Sequence, residues 1–157
     1  VTLVKNIRDE EAPLAKTAIL SNSASVKHAG IRQALAGLDH RIMKLDCGDE
    51  ATFRRFNRPA EGLTLEMIVD GLRTMRNITI QSLFAGGRSG NLNQGNLDSW
   101  LDRIREIRPK NVQIYSLDRS APDSHLTKAS NESLEEIKTR LEEIQIFGRV
   151  FSRDSIR

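Results

Sequence analysis

The chain has 157 residues, of which 38% are hydrophobic and 29% are charged. This composition is typical of one soluble globular domain with a sizeable core, and it excludes an intrinsically disordered chain. No apolar stretch approaches the roughly 20 residues that a membrane-spanning helix needs, and no apolar block of a signal peptide follows the N-terminus, so we expect a cytoplasmic protein without a membrane partner.

The net charge of +3 is small, because acidic residues are interspersed with the basic ones. A solvated surface is therefore favoured over a nucleic-acid footprint. Cys47 is the only cysteine, which excludes an internal disulfide and is too few for a structural zinc site or an iron-sulfur cluster. The three histidines have no spacing typical of a metal site, so no metal ligand is predicted.

The first part of the chain alternates helical and strand patterns. Apolar residues at helical spacing predict a helix over 2–14, ending near Pro13. A strand over 16–23, an amphipathic helix over 26–38 and a strand over 41–46 follow. Three arginines then crowd the stretch 53–59, which we expect to be a loop able to hold an anion or a nucleic acid.

The second part repeats the same alternation. Residues of the type favoured at helix N-caps precede three further helices, at Thr64, Asn96 and Ser133. The predicted strands between and after them lie at 78–84, 112–117 and 149–151. Trp100 has the helical spacing of a core residue. The glycine-rich stretch after Phe84 lacks both phosphate-binding signatures and predicts a mobile loop.

The strand and helix units recur about every 30 residues, which is the unit length of a (β/α) barrel. The sequence therefore predicts an α/β fold, a partial (β/α) barrel of parallel strands, as a single domain over 1–157. The chain opens on Val1 within a helical pattern, and an uncovered parallel edge is a hazard. We expect further barrel units before residue 1, or self-association, to cover that edge.

Lys44 and Asp46 are the clearest candidate site residues. Residues two apart on a strand share a face, so the ammonium and the carboxylate should project side by side at the strand tip. In parallel α/β proteins, sites are built at this end of the strands. The alternative is a buried ion pair that only fixes the strand register.

Gln81, Gln113 and Tyr115 occupy equivalent places on the next two strands. Their neighbours on the opposite face are aliphatic, which indicates a semi-polar barrel lumen with all the helices outside. A single Gln at a strand end is commonly a satisfied core amide, but two at matching positions beside a tyrosine favour a lining role.

Several runs of the sequence resemble the later part of a radical S-adenosylmethionine (SAM) enzyme, nearest to the wyosine-type tRNA-modifying oxidoreductases. The similarity extends from about residue 14 to the C-terminus. The runs that carry it are Thr17-Ala-Ile-Leu-Ser-Asn-Ser23, Met43-Lys-Leu-Asp-Cys-Gly-Asp-Glu50, Phe53-Arg-Arg-Phe-Asn-Arg-Pro59, Ile78-Thr-Ile-Gln81 and Val112-Gln-Ile-Tyr-Ser-Leu-Asp-Arg119.

This resemblance implies the later units of a (β/α)6 barrel that binds a [4Fe-4S] cluster and SAM. Such an enzyme cleaves SAM reductively to a 5′-deoxyadenosyl radical, which abstracts hydrogen from a substrate, and it needs an electron donor. The family's Cys-x3-Cys-x2-Cys loop and Gly-Glu element do not occur in this sequence. The resemblance thus implies a truncated core without its cluster-binding units, inactive on its own, with roughly 60 or more residues missing.

The resemblance also assigns roles to positions of this chain. The residues that would contact SAM at the strand tips are Ser21, Asn22, Ser23, Lys44, Asp46, Gln81, Gln113 and Tyr115. The residues that would anchor a small-molecule or RNA substrate at the barrel mouth are Arg54, Arg55, Asn57 and Arg58. Lys44 suits a carboxylate, Asp46 suits ribose hydroxyls, and neutral amides suit adenine.

Two rival functions remain open at the level of sequence. One is a non-catalytic α/β module that binds an anionic ligand at the strand tips and the Arg54 to Arg58 stretch. The other is a nucleic-acid-binding fragment that uses the same arginines, whose affinity would fall with rising salt.

Overall fold

The computed structural model describes residues 1–119 and 123–152. Within these ranges, five strands form one parallel sheet in the order β1-β2-β3-β5-β7. The strands are β1 (Ala18–Ser21), β2 (His40–Lys44), β3 (Thr79–Leu83), β5 (Asn111–Tyr115) and β7 (Gly148–Phe151). Two short strands, β4 (Ala85–Gly86) and β6 (Thr127–Lys128), pair antiparallel beyond the end of β3.

Six helices connect or flank these strands. They are α1 (Thr2–Glu11), α2 (Ala29–Ala36), α3 (Glu50–Asn57), α4 (Leu65–Arg73), α5 (Gln94–Ile107) and α6 (Asn131–Glu143). No helix in the described part of the chain is long and apolar enough to cross a membrane.

The order of the strands explains the shape of the sheet. Each strand of the parallel sheet pairs with the next one along the chain, without reversal of direction. Parallel crossovers are right-handed, so crossovers that always step the same way place their helices on one face. The other face is left as the concave side of a partial barrel. The predicted fold class and the parallel pairing of the strands are confirmed.

The core lies between the sheet and the helices. The helix-facing side chains of the strands, such as Met43, Ile80 and Ile114, are fully buried, as are Leu72 of α4 and Trp100 of α5. The edge-to-face packing of Phe84 on Trp100, with ring centroids 5.0 Å apart, extends this core to the end of β3. Trp100 is thus a core residue, as its spacing predicts.

Four local predictions are wrong. The arginine-rich stretch is not a loop but lies largely in α3, which Asp49 caps by accepting a hydrogen bond from the Thr52 amide. The N-caps of α5 and α6 are Asn93 and Ser130, each three residues before the predicted one. For both α5 and α6, a residue of the same type three positions earlier lies where the chain enters the helix in extended conformation, and that residue is the cap.

The fourth wrong prediction concerns the buried face of α2. The apolar face of the amphipathic helix predicted over 26–38 includes Ile31, which is 42% exposed in the structure, because α2 is only eight residues long and buries Leu35 alone. The glycine-rich stretch contains β4, and the buried Asn91 side chain accepts a hydrogen bond from the Ala85 amide at 2.8 Å. The buried Asn91 side chain thus anchors a stretch that is otherwise a loop beyond Gly86, as predicted, and the mobility of this loop stays a prediction.

Candidate binding site on the concave face

Lys44 and Asp46 lie side by side, as their spacing on one strand face predicts. The Lys44 Nζ atom is 3.1 Å from Asp46 Oδ1 and donates a hydrogen bond to Tyr115 Oη at 2.6 Å. The ammonium also lies 5.0 Å from the centroid of the Tyr115 ring. Lys44 thereby joins the tip of β2 to the tip of β5 across the concave face.

Burial and charge act in opposite directions on Lys44. Desolvation lowers its pKa, but the Asp46 carboxylate and the Tyr115 oxygen together outweigh that effect, so the pKa is raised. The side chain is 29% exposed, so the ammonium is held charged and still faces the open side of the sheet. It is therefore suited to bind a carboxylate or another anion.

The Asp46 carboxylate is committed to the protein. Its Oδ1 atom accepts from the Leu83 amide at 2.8 Å, and its Oδ2 atom accepts from Asn57 Nδ2 at 2.9 Å. Its side chain is only 3% exposed. This geometry favours the alternative in which Asp46 has a structural role, holding Lys44 in place and joining the end of β2 to β3 and α3.

A polar row crosses the concave face in register. Lys44 pairs with Gln81, Gln81 with Gln113, and Gln113 with Arg149 of β7. Gln81 Nε2 donates to Gln113 Oε1 at 3.0 Å, so the two amides bind each other as neighbours. Both glutamines lie on the concave face, and their role in lining a ligand site stays a prediction.

Arg149 is a member of the row that sequence reasoning missed. It lies in the short strand β7, and its guanidinium stacks 4.9 Å from the centroid of the Phe151 ring. Neighbouring strands are about 4.8 Å apart, so the backbones of Lys44 and Arg149, three strands apart at the ends of the row, are separated by about 14 Å along the sheet. Arg149 alternates with Val150 along β7 as Gln113 alternates with Ile114 along β5. This alternation was the signal that could have identified Arg149.

Polar side chains of the loop after β1 form hydrogen bonds within that loop. Ser21 Oγ accepts from the Ser23 amide, and Asn22 Oδ1 accepts from the Ala24 amide, both at 3.1 Å. Ser23 is fully buried with a φ of 64°, and its hydroxyl has no partner among the described residues. Of the three, Asn22 alone lines the small cavity of about 40 Å³ beside Lys44 and Asp46.

The arginines of α3 are also engaged within the chain. Arg54 pairs with Glu50 at 2.6 Å, and Arg58 pairs with Asp123 at 3.1 Å. Arg55 donates to the Gly90 carbonyl at 3.1 Å. These contacts tie α3 to its own first turn and to the segments after β3 and β5. They do not favour the function in which these arginines hold an anion or RNA.

Two buried asparagines lie behind the site in roles that the sequence did not predict, since Asn96 was expected only as a helix N-cap. Asn91 Nδ2 donates to the carbonyls of Asp46 and Leu83, at 2.6 and 2.7 Å. Asn96 Oδ1 accepts from the Gly48 amide at 2.8 Å, and its Nδ2 atom donates to the Asn91 carbonyl. The two side chains satisfy the backbone where β2 and β3 end, and so position the polar row.

A cavity of about 440 Å³ opens beside the row, at the C-terminal ends of β3, β5 and β7. Its walls include Gln81, Gln113 and Tyr115 of the row, together with Lys128 and Phe151. A cavity of this size can enclose part of a small organic molecule. It extends the candidate site from the polar row to the rim of the half barrel.

Sequence comparisons relate the chain to two UPF0026 proteins. No family model matches the chain. The chain is 21% identical over 159 residues to a UPF0026 protein of Methanocaldococcus jannaschii and 28% identical over 132 residues to a UPF0026 protein of Synechocystis. These alignments cover 98% and 77% of this chain but 46% and 48% of the two relatives. The chain therefore spans about half the length of the curated relatives that it matches.

Two solved structures superpose on nearly the whole chain. One is a radical SAM methyltransferase from Sphaerobacter thermophilus, with a TM-score of 0.71 and 17% identity over 96% of this chain and 46% of that chain. The other is a domain of a pyruvate-formate lyase-activating enzyme from Bacteroides vulgatus, with a TM-score of 0.71 and 9% identity over 96% of this chain and 90% of that chain. The chain thus shares its partial-barrel fold with a radical SAM methyltransferase and with a domain of a pyruvate-formate lyase-activating enzyme.

Proposed function

We propose that this chain forms the later βα units of a radical SAM enzyme and that its concave polar row binds SAM. The observation that carries the proposal is the alignment of Lys44, Gln81 and Gln113 on the open face of a parallel half barrel. The fold shared with a radical SAM methyltransferase supports it.

The donors of the row fit the polar groups of SAM. Lys44 would bind the carboxylate, while the amides of Gln81 and Gln113 would bind ring nitrogens or hydroxyls. Tyr115 accepts from Lys44, so its own hydroxyl proton remains available to a ligand. SAM held there would supply the group that reacts with a substrate after one-electron reduction. Asp46 would act by positioning Lys44 and would not touch the ligand.

The chain does not fit a [4Fe-4S] cluster. Such a cluster is held by several thiolates, and Cys47 is the only cysteine of the sequence. Cys47 is also fully buried, and burial followed by the nearby Asp46 and Asp49 carboxylates raises the pKa of its thiol. On this proposal the cluster ligands would lie outside this chain, in the half of the relatives' length that it does not match or in a partner. The electron donor and the substrate would be separate molecules. Placement in the wyosine-type branch, with RNA as substrate, stays a prediction.

Direct SAM binding tests the proposal. Isothermal titration of the chain with SAM should show saturable binding in the micromolar to millimolar range expected of half a site, roughly 4 to 8 kcal/mol. Lys44→Met should weaken it about tenfold or more, because a charge-assisted hydrogen bond is lost. Lys138→Gln removes the same charge from α6, where Lys138 pairs with Glu135, and should leave the affinity unchanged. Equal affinity of wild type and Lys44→Met for SAM would refute the assignment of the row.

A further inference from the structure

The concave face carries a second row of register partners, nearer the rim of the half barrel than the polar row. Leu83 pairs with Tyr115, and Tyr115 pairs with Phe151. Side chains alternate along a strand, so these three residues share a face with Gln113 and Arg149, their neighbours two positions earlier. We call Leu83, Tyr115 and Phe151 the rim row. The concave face therefore changes from polar to apolar and aromatic as it approaches the C-terminal ends of the strands.

The two aromatic rings of the rim row lie on neighbouring strands without packing on each other. Within the described residues, the one pair of packed rings lies in the core. The Tyr115 oxygen is held by Lys44 Nζ at 2.6 Å, and the Arg149 guanidinium lies over the Phe151 ring at 4.9 Å. Separate contacts thus hold each ring, and both rings line the cavity of about 440 Å³ at the rim.

Apolar side chains extend the wall beyond the two rings. Leu117, which follows β5, and Leu134 of α6, which is buried, line the same cavity. Phe151 remains 39% exposed, so part of its ring is in contact with water. Removing apolar surface of this kind from water is favourable, and a ligand in the cavity would do so. The cavity is therefore suited to a ligand with an apolar body.

The charges around this cavity are balanced. Among the described residues that line it, Lys128 of β6 is the one cation and Asp118 the one anion, whereas Arg149 covers Phe151 and does not line the cavity. The remaining polar groups include the neutral amides of Gln81 and Gln113. Small-molecule sites combine apolar and aromatic walls with a few polar groups in this way. The balance of charge favours an uncharged ligand over a phosphate or a carboxylate.

We propose that this cavity binds the uncharged aromatic ring of a small-molecule substrate, against Tyr115 and Phe151. Aromatic rings attract one another edge to face or offset, beyond the gain from burial of their area. The assignment of the ring to a substrate rests on the function proposed above. SAM would bind along the polar row with its own base at Gln81 and Gln113, so a substrate would approach it from the rim, where this cavity opens.

Calorimetric and ligand-observed NMR titrations test this site, with benzamide and cyclohexanecarboxamide as probes. The two probes carry the same neutral amide, and only benzamide has a flat aromatic ring. Benzamide should saturate the chain at a several-fold lower concentration, because it alone gains ring-to-ring contacts. Phe151→Ala should weaken benzamide binding about fivefold or more. Phe151→Leu should abolish the preference for benzamide, and because it keeps an apolar side chain on β7 it tests the ring even if Phe151→Ala disturbs that strand.

Phe147→Ala is the matched control. Phe147 is 66% exposed and precedes β7 at the other end of that strand, so the variant removes the same ring without touching the cavity. Its affinity for benzamide should equal that of the wild type. The proposal is overturned by an equal loss in Phe147→Ala, by a preference for benzamide that survives in Phe151→Leu, or by the absence of saturation at tens of millimolar benzamide.

Titration in the presence of SAM separates this inference from the function proposed above. Saturating SAM should leave benzamide bound, whereas displacement of benzamide by SAM would assign the rim row to the base of SAM and overturn the substrate site. If SAM binds and benzamide does not, the function proposed above stands and this inference fails. If benzamide binds through Phe151 and SAM does not bind, the aromatic-ring site stands and its assignment to a SAM-dependent substrate fails.

Discussion

At the scale of single residues, the two charged side chains at the tip of β2, Lys44 and Asp46, have different roles. Asp46 accepts three hydrogen bonds or ion pairs and is almost wholly buried, whereas Lys44 keeps part of its surface open. A carboxylate with its oxygens engaged by the backbone and by Asn57 has little capacity left for a ligand. The ammonium has three donors, two of which are used inside the protein.

Replacing Asp46 should therefore affect stability first. Asp46→Ala leaves the Leu83 amide, the Asn57 amide and the Lys44 ammonium without their acceptor, and should lower the free energy of unfolding by about 3 kcal/mol or more. Lys44→Met should cost less, because Asp46 keeps two of its donors. Urea unfolding of both variants measures the difference. If Asp46→Ala kept wild-type stability while SAM binding was lost, Asp46 would have to be a ligand-binding residue.

The ionisation of Asp39 makes the free energy of unfolding depend on pH in the acid range. Its pKa is lowered from 3.8 to about 2, mainly by the hydrogen bond from the Thr17 amide and then by that from the Thr17 hydroxyl. Because the pKa is lower in the folded state, this contribution is present above pH 4 and is lost as the pH falls toward 2. The urea midpoint of the wild type should fall more steeply between pH 4 and pH 2 than that of Asp39→Asn. Parallel curves for the two proteins over this window would contradict the assignment.

At the scale of elements, the junction between β2 and α3 is set by close backbone contact with α5. A Cβ atom added at Gly48 would lie 1.9 Å from the Trp100 amide nitrogen and 2.3 Å from the Ser99 carbonyl carbon. Only glycine allows this approach, and the Gly48 amide is bound there by Asn96. The same contact places Trp100 Nε1 3.0 Å from the Leu45 carbonyl.

Two alanine substitutions separate this contact from the general cost of losing a glycine. Gly48→Ala should destabilise the chain by more than about 3 kcal/mol, because backbone atoms of α5 must move. Gly30→Ala, in α2 with nothing within 4 Å of the added atom, should be neutral or stabilising by up to about 1 kcal/mol. Thermal unfolding of both variants measures this, and a Gly48→Ala variant as stable as Gly30→Ala would show that α5 can yield without cost.

At the scale of the whole molecule, the half barrel presents an open concave face with two cavities at opposite ends. Gln113 lines both cavities and binds Gln81 between them. The open edge of β1 carries Leu20, which is 66% exposed, and α1 exposes Leu3, Val4 and Ile7. We expect the edge of the sheet to be covered in the assembled protein, because unpaired parallel edges are prone to non-native pairing.

The chain by itself should not assemble a [4Fe-4S] cluster. Anaerobic treatment with iron and sulfide should leave no more bound iron on the wild type than on Cys47→Ala, because the single thiol is buried and cannot replace several ligands. Iron and sulfide analysis together with visible absorption measures the outcome. Stoichiometric iron and sulfide on the wild type, absent from Cys47→Ala, would mean that copies of the chain share a cluster.

Much of the fold could be predicted from local pattern. The alternation of apolar runs and the parity of Met43 against Lys44 identified the strands and both faces, since side chains alternate along a strand whatever it packs against. The caps were harder: Asn93 and Asn96 have equal capping ability, and only the path of the chain into α5 selects the first and buries the second. Arg149 joined the site through the register of β7, which depends on long-range pairing.

The sequence by itself determined the periodicity, the α/β class and the residue types at the strand tips, because these follow from short-range spacing and side-chain chemistry. Only the tertiary structure decided which of those residues remain open to a ligand. Asp46 and the arginines of α3 are engaged by groups as distant in sequence as Leu83, Gly90 and Asp123. The buried Nε atom of Arg41, which has no hydrogen-bond partner among the described residues, likewise follows only from packing. Hydrogen-bond satisfaction is a property of three-dimensional neighbours, and spacing along one strand cannot reveal it.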